Sequence, residues 1–237
     1  KKKSTEDSTA VDRHKDLRDF LDRVEEMGEL RQLDGVDWNL EMGALAEMVC
    51  HESREGKSPA LLFDKIPGYP KGFRVLSGAT NSSRRLAYAL GFPEPSGPTD
   101  VVKAFRDRMR AEFELIPPIE VESGPVFENI DRDDEVDLYK FPIPFIHEFD
   151  GGRYIGTDDL VIIRDPDSDW INSATYRVMV HDKNTCGIWM SPGKHGRIIR
   201  EKYFSKGKSC PVAISVGQDP LLFMAANQEI DYGTDEL

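Results

Sequence analysis

Chain-breaking residues near the middle of the sequence divide the 237-residue chain into two unlike halves. Residues 92–98 contain three prolines and a glycine, and Pro117-Pro118 and Gly124-Pro125 follow. Proline and glycine interrupt helices and strand ladders, so no regular element is expected to run through this region. We therefore place a domain boundary near residue 120. It separates an N-terminal module of residues 15–120, preceded by a polar tail of residues 1–14, from a C-terminal module of residues 121–237.

The first half alternates between helical and strand patterns. Apolar residues at helical spacing predict helices, and short apolar runs bounded by turn residues predict buried strands. Gly28 is expected to end the first helix, and Thr99 to cap the last one. The predicted helices lie at 17–24, 42–49, 82–90 and 99–113, and the predicted strands at 59–63 and 73–77.

The second half is strand-rich, with predicted strands at 160–163, 171–180, 185–190 and 212–216 and one helix near 197–204. An α/β module would thus be followed by a β-rich module, which makes the predicted fold class α+β. In a regular strand, successive side chains face opposite sides, so Asn172 and Arg177 would lie on different faces. Both could reach one ligand if the strand bends or runs along the ligand.

Composition excludes several classes of protein. The net charge of −12 argues against a nucleic-acid binder, because such affinity depends on Lys and Arg at phosphates. No run approaches the roughly 18 apolar residues that span a bilayer, and no apolar stretch follows the N-terminal lysines. We therefore expect no membrane partner and a cytoplasmic location. Cys50, Cys186 and Cys210 form no CxxC pair and are expected to be buried, reduced thiols.

Three separated segments could supply a site for a hard divalent cation. They are Trp170–Arg177, Lys194-His195-Gly196 and Tyr232–Glu236, and together they offer an amide oxygen, an imidazole, a carboxylate and a guanidinium. Oxygen and imidazole ligands without thiolate suit Mn²⁺ or Mg²⁺. His195 is expected to follow a turn and to precede a helix, whose first backbone N–H groups would suit a phosphate. Each residue alone also fits a structural role, as a strand's wet face, a helix cap or an exposed chain end.

The same segments resemble the UbiD family of prenylated-FMN-dependent decarboxylases. The resemblance begins at Asp16–Leu21 and Gly28–Leu30, typical of the family's N-terminal module. It continues through Asn172–Arg177 and ends in Tyr232–Glu236, close to the family's glycine-x-x-glutamate motif. It therefore spans nearly the whole chain after the tail. It implies that the C-terminal module is a split β-barrel of the flavin-reductase type, which binds the cofactor.

The resemblance also implies roles for individual residues. Asn172, His195 and Glu236 would hold Mn²⁺ or Mg²⁺ on the cofactor phosphate, and Thr157 with an Ala225-Ala226 turn would surround a potassium ion. Arg177 would be the catalytic arginine of a glutamate–arginine–glutamate network. The residues expected to contact the cofactor are Asn172, Ser173, Ala174, Thr175, Tyr176, Arg177, Trp189, Met190, Ser191, Lys194 and His195.

The implied activity is reversible, non-oxidative decarboxylation of an aromatic or α,β-unsaturated carboxylic acid, with CO₂ as the second product and a flavin prenyltransferase as cofactor supplier. In the family, both glutamates of the network follow the glycine-x-x-glutamate motif, whereas this sequence ends at Leu237. We therefore expect a truncated barrel, an inactive fragment and, at full length, a homo-oligomer. A non-catalytic flavin- or phosphate-binding subunit and a simple flavin reductase are the alternatives.

Overall fold

A computed structural model describes residues 14–52, 58–111 and 116–234. No helix in these ranges is long and apolar enough to cross a membrane. The helices are α1 (Leu17–Glu26), α2 (Glu41–Glu52), α3 (Ser83–Ala89), α4 (Pro98–Arg110), α5 (His195–Ser205) and α6 (Pro220–Ala226). The strands are β1 (Leu30–Asp34), β2 (Ala60–Asp64), β3 (Val75–Ser77), β4 (Arg153–Gly156), β5 (Leu160–Arg164), β6 (Ile171–Ala174), β7 (Arg177–Val180), β8 (Cys186–Trp189) and β9 (Ala213–Ser215).

The first module is a three-stranded sheet with helices on both faces. Its central strand, β2, runs parallel to β1 and antiparallel to β3. Ala60 and Leu62 of β2 pack against α1, while Leu61 and Phe63 face α2. Because side chains alternate along a strand, an uninterrupted apolar run is what a strand covered on both faces requires. The predicted strand at 59–63 is confirmed, and burial explains its composition.

The two modules contact each other through the segment that precedes β4. Phe145 exchanges backbone hydrogen bonds with Trp38 and Leu40. The next residue presses its carbonyl against Gly43 of α2, where an added Cβ would lie only 2.1 Å from that oxygen. Arg153 of β4 reaches back into the first module, with its guanidinium 3.9 Å from the centre of the Trp38 ring. These contacts fix one wall of the cleft described below.

The second module consists of two antiparallel three-stranded sheets, in the orders β4-β7-β8 and β6-β5-β9. Both sheets contribute to one core, since Val161 and Ile163 of β5 pack with Val178 of β7. Ile199 of α5 lies in the same core and has no exposed surface. The whole is a mixed α+β fold, as predicted. Closure of the two sheets into a split barrel stays a prediction.

The segment 171–180 is two strands rather than the single strand predicted. The chain leaves β6 after Ala174 and enters β7 at Arg177, and these strands belong to different sheets. Thr175 and Tyr176 form the bend between them. The apolar and β-branched residues on both sides have the same strand propensity, so periodicity alone conceals the break.

Several smaller expectations need correction. Gly97, not Thr99, caps α4, because Pro98 occupies the first helical position, where its missing N–H costs nothing. A second helix, α6, was not expected in the second module, and the supposed Ala225-Ala226 turn is its last turn. Strands β1 and β4 were also not predicted. The three cysteines are free, but none is fully buried: Cys50 is exposed on α2, and Cys186 and Cys210 are partly exposed.

Candidate functional site

A tyrosine hydroxyl joins two of the three segments that were expected to form the site. Tyr176, in the bend between β6 and β7, donates to the side-chain oxygen of Asn172 at 3.4 Å. The same hydroxyl accepts the backbone N–H of Gly196 at 3.1 Å. Asn172 and Ser173 are almost fully buried. Asn172 is thereby held against the first turn of α5, directly beside His195.

Close packing at this junction depends on glycine. An added Cβ at Gly196 would lie 2.8 Å from the Tyr176 hydroxyl and 3.1 Å from the Asn172 oxygen. Any larger residue would push the helix start away from β6. The helix begins at His195 without a side-chain cap, with Lys194 in the capping position. The helix predicted near 197–204 thus starts two residues earlier than expected and includes His195.

Two aromatic rings hold the His195 imidazole from the side. Trp170 lies edge-on to it with ring centres 5.3 Å apart, and Tyr232 does the same at 5.5 Å. Trp170 and Tyr232 also pack on each other at 4.6 Å. The Trp170 indole N–H donates to the carbonyl of Thr234 at 2.8 Å, which fixes the third segment here. Glu236, predicted as the carboxylate ligand, lies outside the described residues.

A lysine on α5 supports this arrangement from the far side. Lys202 forms an ion pair with the buried Asp165 at 2.5 Å, and its ammonium group lies 5.7 Å from the centre of the Tyr232 ring. The pKa of Lys202 is raised, first by the hydrogen bond to Asp165 and then by Tyr232. Burial alone would raise the pKa of Asp165, but hydrogen bonds from Lys202 and nearby groups bring it below its usual value. Sequence reasoning assigned no role to either residue.

The other predicted cofactor residues lie around this junction in different environments. Arg177 and Trp189 are exposed neighbours, paired in register across β7 and β8. Thr175 donates its hydroxyl to Asn227, just after α6, at 3.0 Å. Met190 is buried in the core, so its side chain packs there. Ala174 packs against the same core, Ser191 is partly buried, and Lys194 pairs with Glu229 at 3.3 Å.

A cleft of about 820 Å³ lies between the two modules. Thr157, predicted near a potassium ion, lies on its wall together with Asp158 and Asp159. Asn172, His195 and Arg177 are not among its lining residues. The structure therefore places Thr157 on a different surface from the Asn172–Tyr176–Gly196 junction.

Asp159 is the most perturbed acid on that wall. It is 1% exposed, and neither of its carboxylate oxygens has a hydrogen-bond partner. Burial raises its pKa to about 6 against a smaller, opposing contribution from its own backbone N–H, and the adjacent negative charge of Asp158 adds slightly to the rise. The adjacent acids Asp158-Asp159, placed directly before an apolar strand, were the available sequence signal.

The junction has the donor types that a hard cation prefers, namely an amide oxygen and an imidazole beside a helix N-terminus. Among the described residues, no group of three or more His, Cys, Asp or Glu side chains could hold a metal by themselves. A cation here would thus need the Asn172 oxygen or a ligand from outside the described ranges. The residues fit a divalent ion shared with a phosphate.

Comparison with known proteins identifies the family. The model of the 3-octaprenyl-4-hydroxybenzoate carboxy-lyase Rift-related domain matches residues 119–237, half of the chain. The model of the N-terminal domain of the same carboxy-lyases matches residues 21–105. The chain belongs to the UbiD family. The family resemblance inferred from the sequence is thereby confirmed.

Among its relatives, the pyrrole-2-carboxylic acid decarboxylase of Pseudomonas aeruginosa is 38% identical over 93% of this chain and 45% of its own length. The closed form of vanillic acid decarboxylase from Sedimentibacter hydroxybenzoicus has a TM-score of 0.85 at 29% identity, over 95% of this chain and 47% of that one. An evolved dimeric form of the UbiD-class enzyme HmfF from Pelotomaculum thermopropionicum, in complex with prenylated FMN, has a TM-score of 0.79 at 28% identity, over 93% and 48%. The UbiD-family chain described here thus spans about half the length of these relatives.

Proposed function

We propose that this chain supplies the cofactor-phosphate site of a UbiD-family decarboxylase that acts on an aromatic or α,β-unsaturated carboxylic acid. The observation that carries the proposal is the Tyr176 hydroxyl, which joins Asn172 to the start of α5. It brings an amide oxygen and an imidazole to one helix N-terminus, where backbone N–H groups favour a phosphate.

In this proposal Asn172, His195 and Glu236 hold Mn²⁺ or Mg²⁺ on the phosphate of prenylated FMN. The edge-on packing of Trp170 and Tyr232 sets the orientation of the imidazole, and the α5 N-terminus stabilises negative charge. The small side chains of Ser173 and Ala174 leave room for a flat ring near the backbone. When bound, the cofactor supplies the electron sink for loss of CO₂.

Arg177 is assigned the substrate end of the site. It lies five residues beyond Asn172 but in the next sheet, so the bend at Thr175–Tyr176 lets the two face different ends of one extended ligand. Its planar guanidinium can hold a carboxylate through two parallel hydrogen bonds. The exposed Trp189 beside it offers an apolar ring face for an aromatic substrate.

For the substrate we propose only a chemical class. The relatives named above include a pyrrole-2-carboxylic acid and a vanillic acid decarboxylase, and an aromatic acid is therefore our first choice. The split barrel, a potassium ion near Thr157, the prenyltransferase as supplier, homo-oligomerisation and a cytoplasmic location are parts of the same proposal.

The test is CO₂ release by the intact gene product, produced together with a flavin prenyltransferase and supplied with Mn²⁺. Pyrrole-2-carboxylate, vanillate and ferulate form a suitable panel. We expect turnover of at least one acid, and a loss of at least a hundredfold in Arg177→Lys. Arg164→Lys is the matched control, because Arg164 is an exposed residue that ends β5. Retained flavin without CO₂ release from the panel would favour a binding subunit, and rapid NAD(P)H oxidation with free FMN would favour a reductase.

A further inference from the structure

A groove lined by aromatic rings lies on the surface where the two modules meet. Its volume is about 550 Å³, and its rings are those of Trp38, Tyr69, Phe73 and Tyr139. Only Phe73 also lines the cleft described above. All four side chains keep accessible surface, and Tyr139 is 40% exposed. Accessible apolar surface gathered in one place marks an interaction site.

The groove is positively charged, although the chain as a whole has a net charge of −12. Lys140 lies on its wall, and none of the acidic residues in the described ranges lines it. The guanidinium of Arg153 lies 3.9 Å from the centre of the Trp38 ring and donates to the Tyr69 hydroxyl at 2.7 Å. Asp131 pairs with Lys140, whereas no carboxylate of the described residues pairs with Arg153. One positive charge therefore remains beside the groove, which favours a ligand that carries acidic groups.

The proline-containing segment 116–122 has the matching properties. Its sequence is Ile-Pro-Pro-Ile-Glu-Val-Glu, and no helix or strand includes it. The two prolines fix their own φ angles and keep the residue before each of them out of the helical region, which favours a polyproline II conformation. Ile116 and Ile119, on either side of the prolines, are 89% and 87% exposed. The segment thus combines a stiff backbone with unburied apolar side chains and two acidic groups.

Aromatic grooves and polyproline II segments form a recurrent pair in protein recognition. The segment holds its conformation before it binds, so little backbone entropy is lost when its prolines pack on aromatic rings. The glutamates of segment 116–122 add the charge that the groove favours. Within its own chain the segment stays exposed and therefore does not fill the groove. A second copy of the chain is the partner that carries this segment.

We propose that segment 116–122 of one chain binds in the aromatic groove of a second copy. Its prolines would pack on the rings of Trp38 and Tyr139, and its glutamates would face Lys140 and Arg153. This contact gives the proposed homo-oligomer a specific surface and rests on that part of the proposed function alone. Cofactor binding and decarboxylation are independent of it, because no residue of the Asn172–Tyr176–Gly196 junction belongs to the groove or the segment.

Sedimentation velocity of the purified chain, over a wide range of concentrations at low ionic strength, tests the contact. We expect the wild-type chain to associate as its concentration rises. Tyr139→Ala changes the groove and Ile119→Ser changes the segment, and each should weaken association at least about fivefold. Val102→Ser is the matched control, because Val102 is a 68% exposed apolar residue of α4, and it should associate like the wild type.

Mixing the variants separates this contact from any other surface of association. An equimolar mixture of Tyr139→Ala and Ile119→Ser should form a complex larger than either variant forms alone. The reason is that the intact segment of the first can enter the intact groove of the second. Thermal unfolding shows whether each variant has folded, and Lys140→Glu replaces Tyr139→Ala if that variant has not.

Three results would overturn the proposal. The first is a wild-type chain that stays monomeric at every concentration, because a second copy would then not be the occupant of the groove. The second is a folded groove variant that associates as strongly as the wild type. The third is a mixture that is no larger than its components, since the chains would then associate through another surface.

Discussion

Replacing Asp159 by asparagine should stabilise the protein at neutral pH and leave it almost unchanged in acid. The pKa of this buried carboxyl is about 6 in the folded chain, against an ordinary value of 3.8. One pKa unit corresponds to about 1.36 kcal/mol, so ionised Asp159 lowers the free energy of unfolding by about 3 kcal/mol. Asparagine has the same shape and no charge, and it removes this penalty.

The direction in which stability changes with pH follows from proton binding to Asp159. Between pH 3.8 and about 6 the folded state holds a proton on Asp159 that the unfolded state has released, so stability falls as the pH rises. Above pH 6 the loss is complete and constant. Urea denaturation of both proteins at pH 4 and pH 7.5, in amine-free buffer, should therefore show almost no difference at pH 4. At pH 7.5 the variant should be more stable by about 3 kcal/mol.

The exposed control Asp169→Asn should change the free energy of unfolding by less than about 0.5 kcal/mol at both pH values. An Asp159→Asn variant no more stable than the wild type at pH 7.5 would refute the reasoning. It would mean that the carboxylate is already satisfied when ionised, for example by ordered water.

Three further substitutions test the packing of the fold and the site. Gly43→Ala should lower the free energy of unfolding in urea by about 1–3 kcal/mol, because its Cβ would lie 2.1 Å from a backbone carbonyl oxygen. The control Gly124→Ala has open space around its Cβ and should leave the stability unchanged. Equal stabilities of the two variants would contradict the inter-module contact. Gly196→Ala should lower Mn²⁺-dependent flavin binding at least tenfold while the protein stays folded, and unchanged binding in a titration would count against the junction. Lys202→Met should cost about 2 kcal/mol at pH 7 by leaving buried Asp165 unpaired. The pKa of Asp165 in the folded protein lies below its ordinary value of 3.8. The stability difference between wild type and Lys202→Met should therefore shrink as the pH falls below about 4. A stability difference that does not change with pH would show that the ion pair is not its cause.

Local patterns in the sequence were enough to predict most of the elements. The four helices of the first module follow from apolar spacing, and Gly28 marks the end of the first one. The N-caps Ser82 and Gly97 were not predicted as caps. The strands that the sequence did not predict, β1 and β4, have weak hydrophobic patterns. β1 has the sequence LRQLD and is mostly exposed, so only pairing with buried β2 makes it a strand. Such tertiary pairing lies outside what a local sequence window contains.

The candidate site shows the same limit. Residues Asn172 and His195 could be named because their types suit a hard cation and because the family resemblance marks them. The sequence could not predict the contact that joins Asn172 to the start of α5, because this contact depends on the bend at Tyr176 and on close packing at Gly196. The sequence did not predict a role for Asp159, because its raised pKa results from burial in the folded protein. Adjacent acids are usually solvated, and only the fold places this one against an apolar cleft.

The most direct test of the decarboxylase proposal is flavin binding by the chain after co-production with a flavin prenyltransferase in the presence of Mn²⁺. We predict that the purified protein retains prenylated FMN, visible in its absorption spectrum, together with a near-equimolar amount of manganese. Asn172→Ala and His195→Ala should each lose both. The control Asn184→Ala, in the exposed turn before β8, should retain both. Absence of flavin from the wild-type chain, or full retention in the Asn172 and His195 variants, would contradict the proposal.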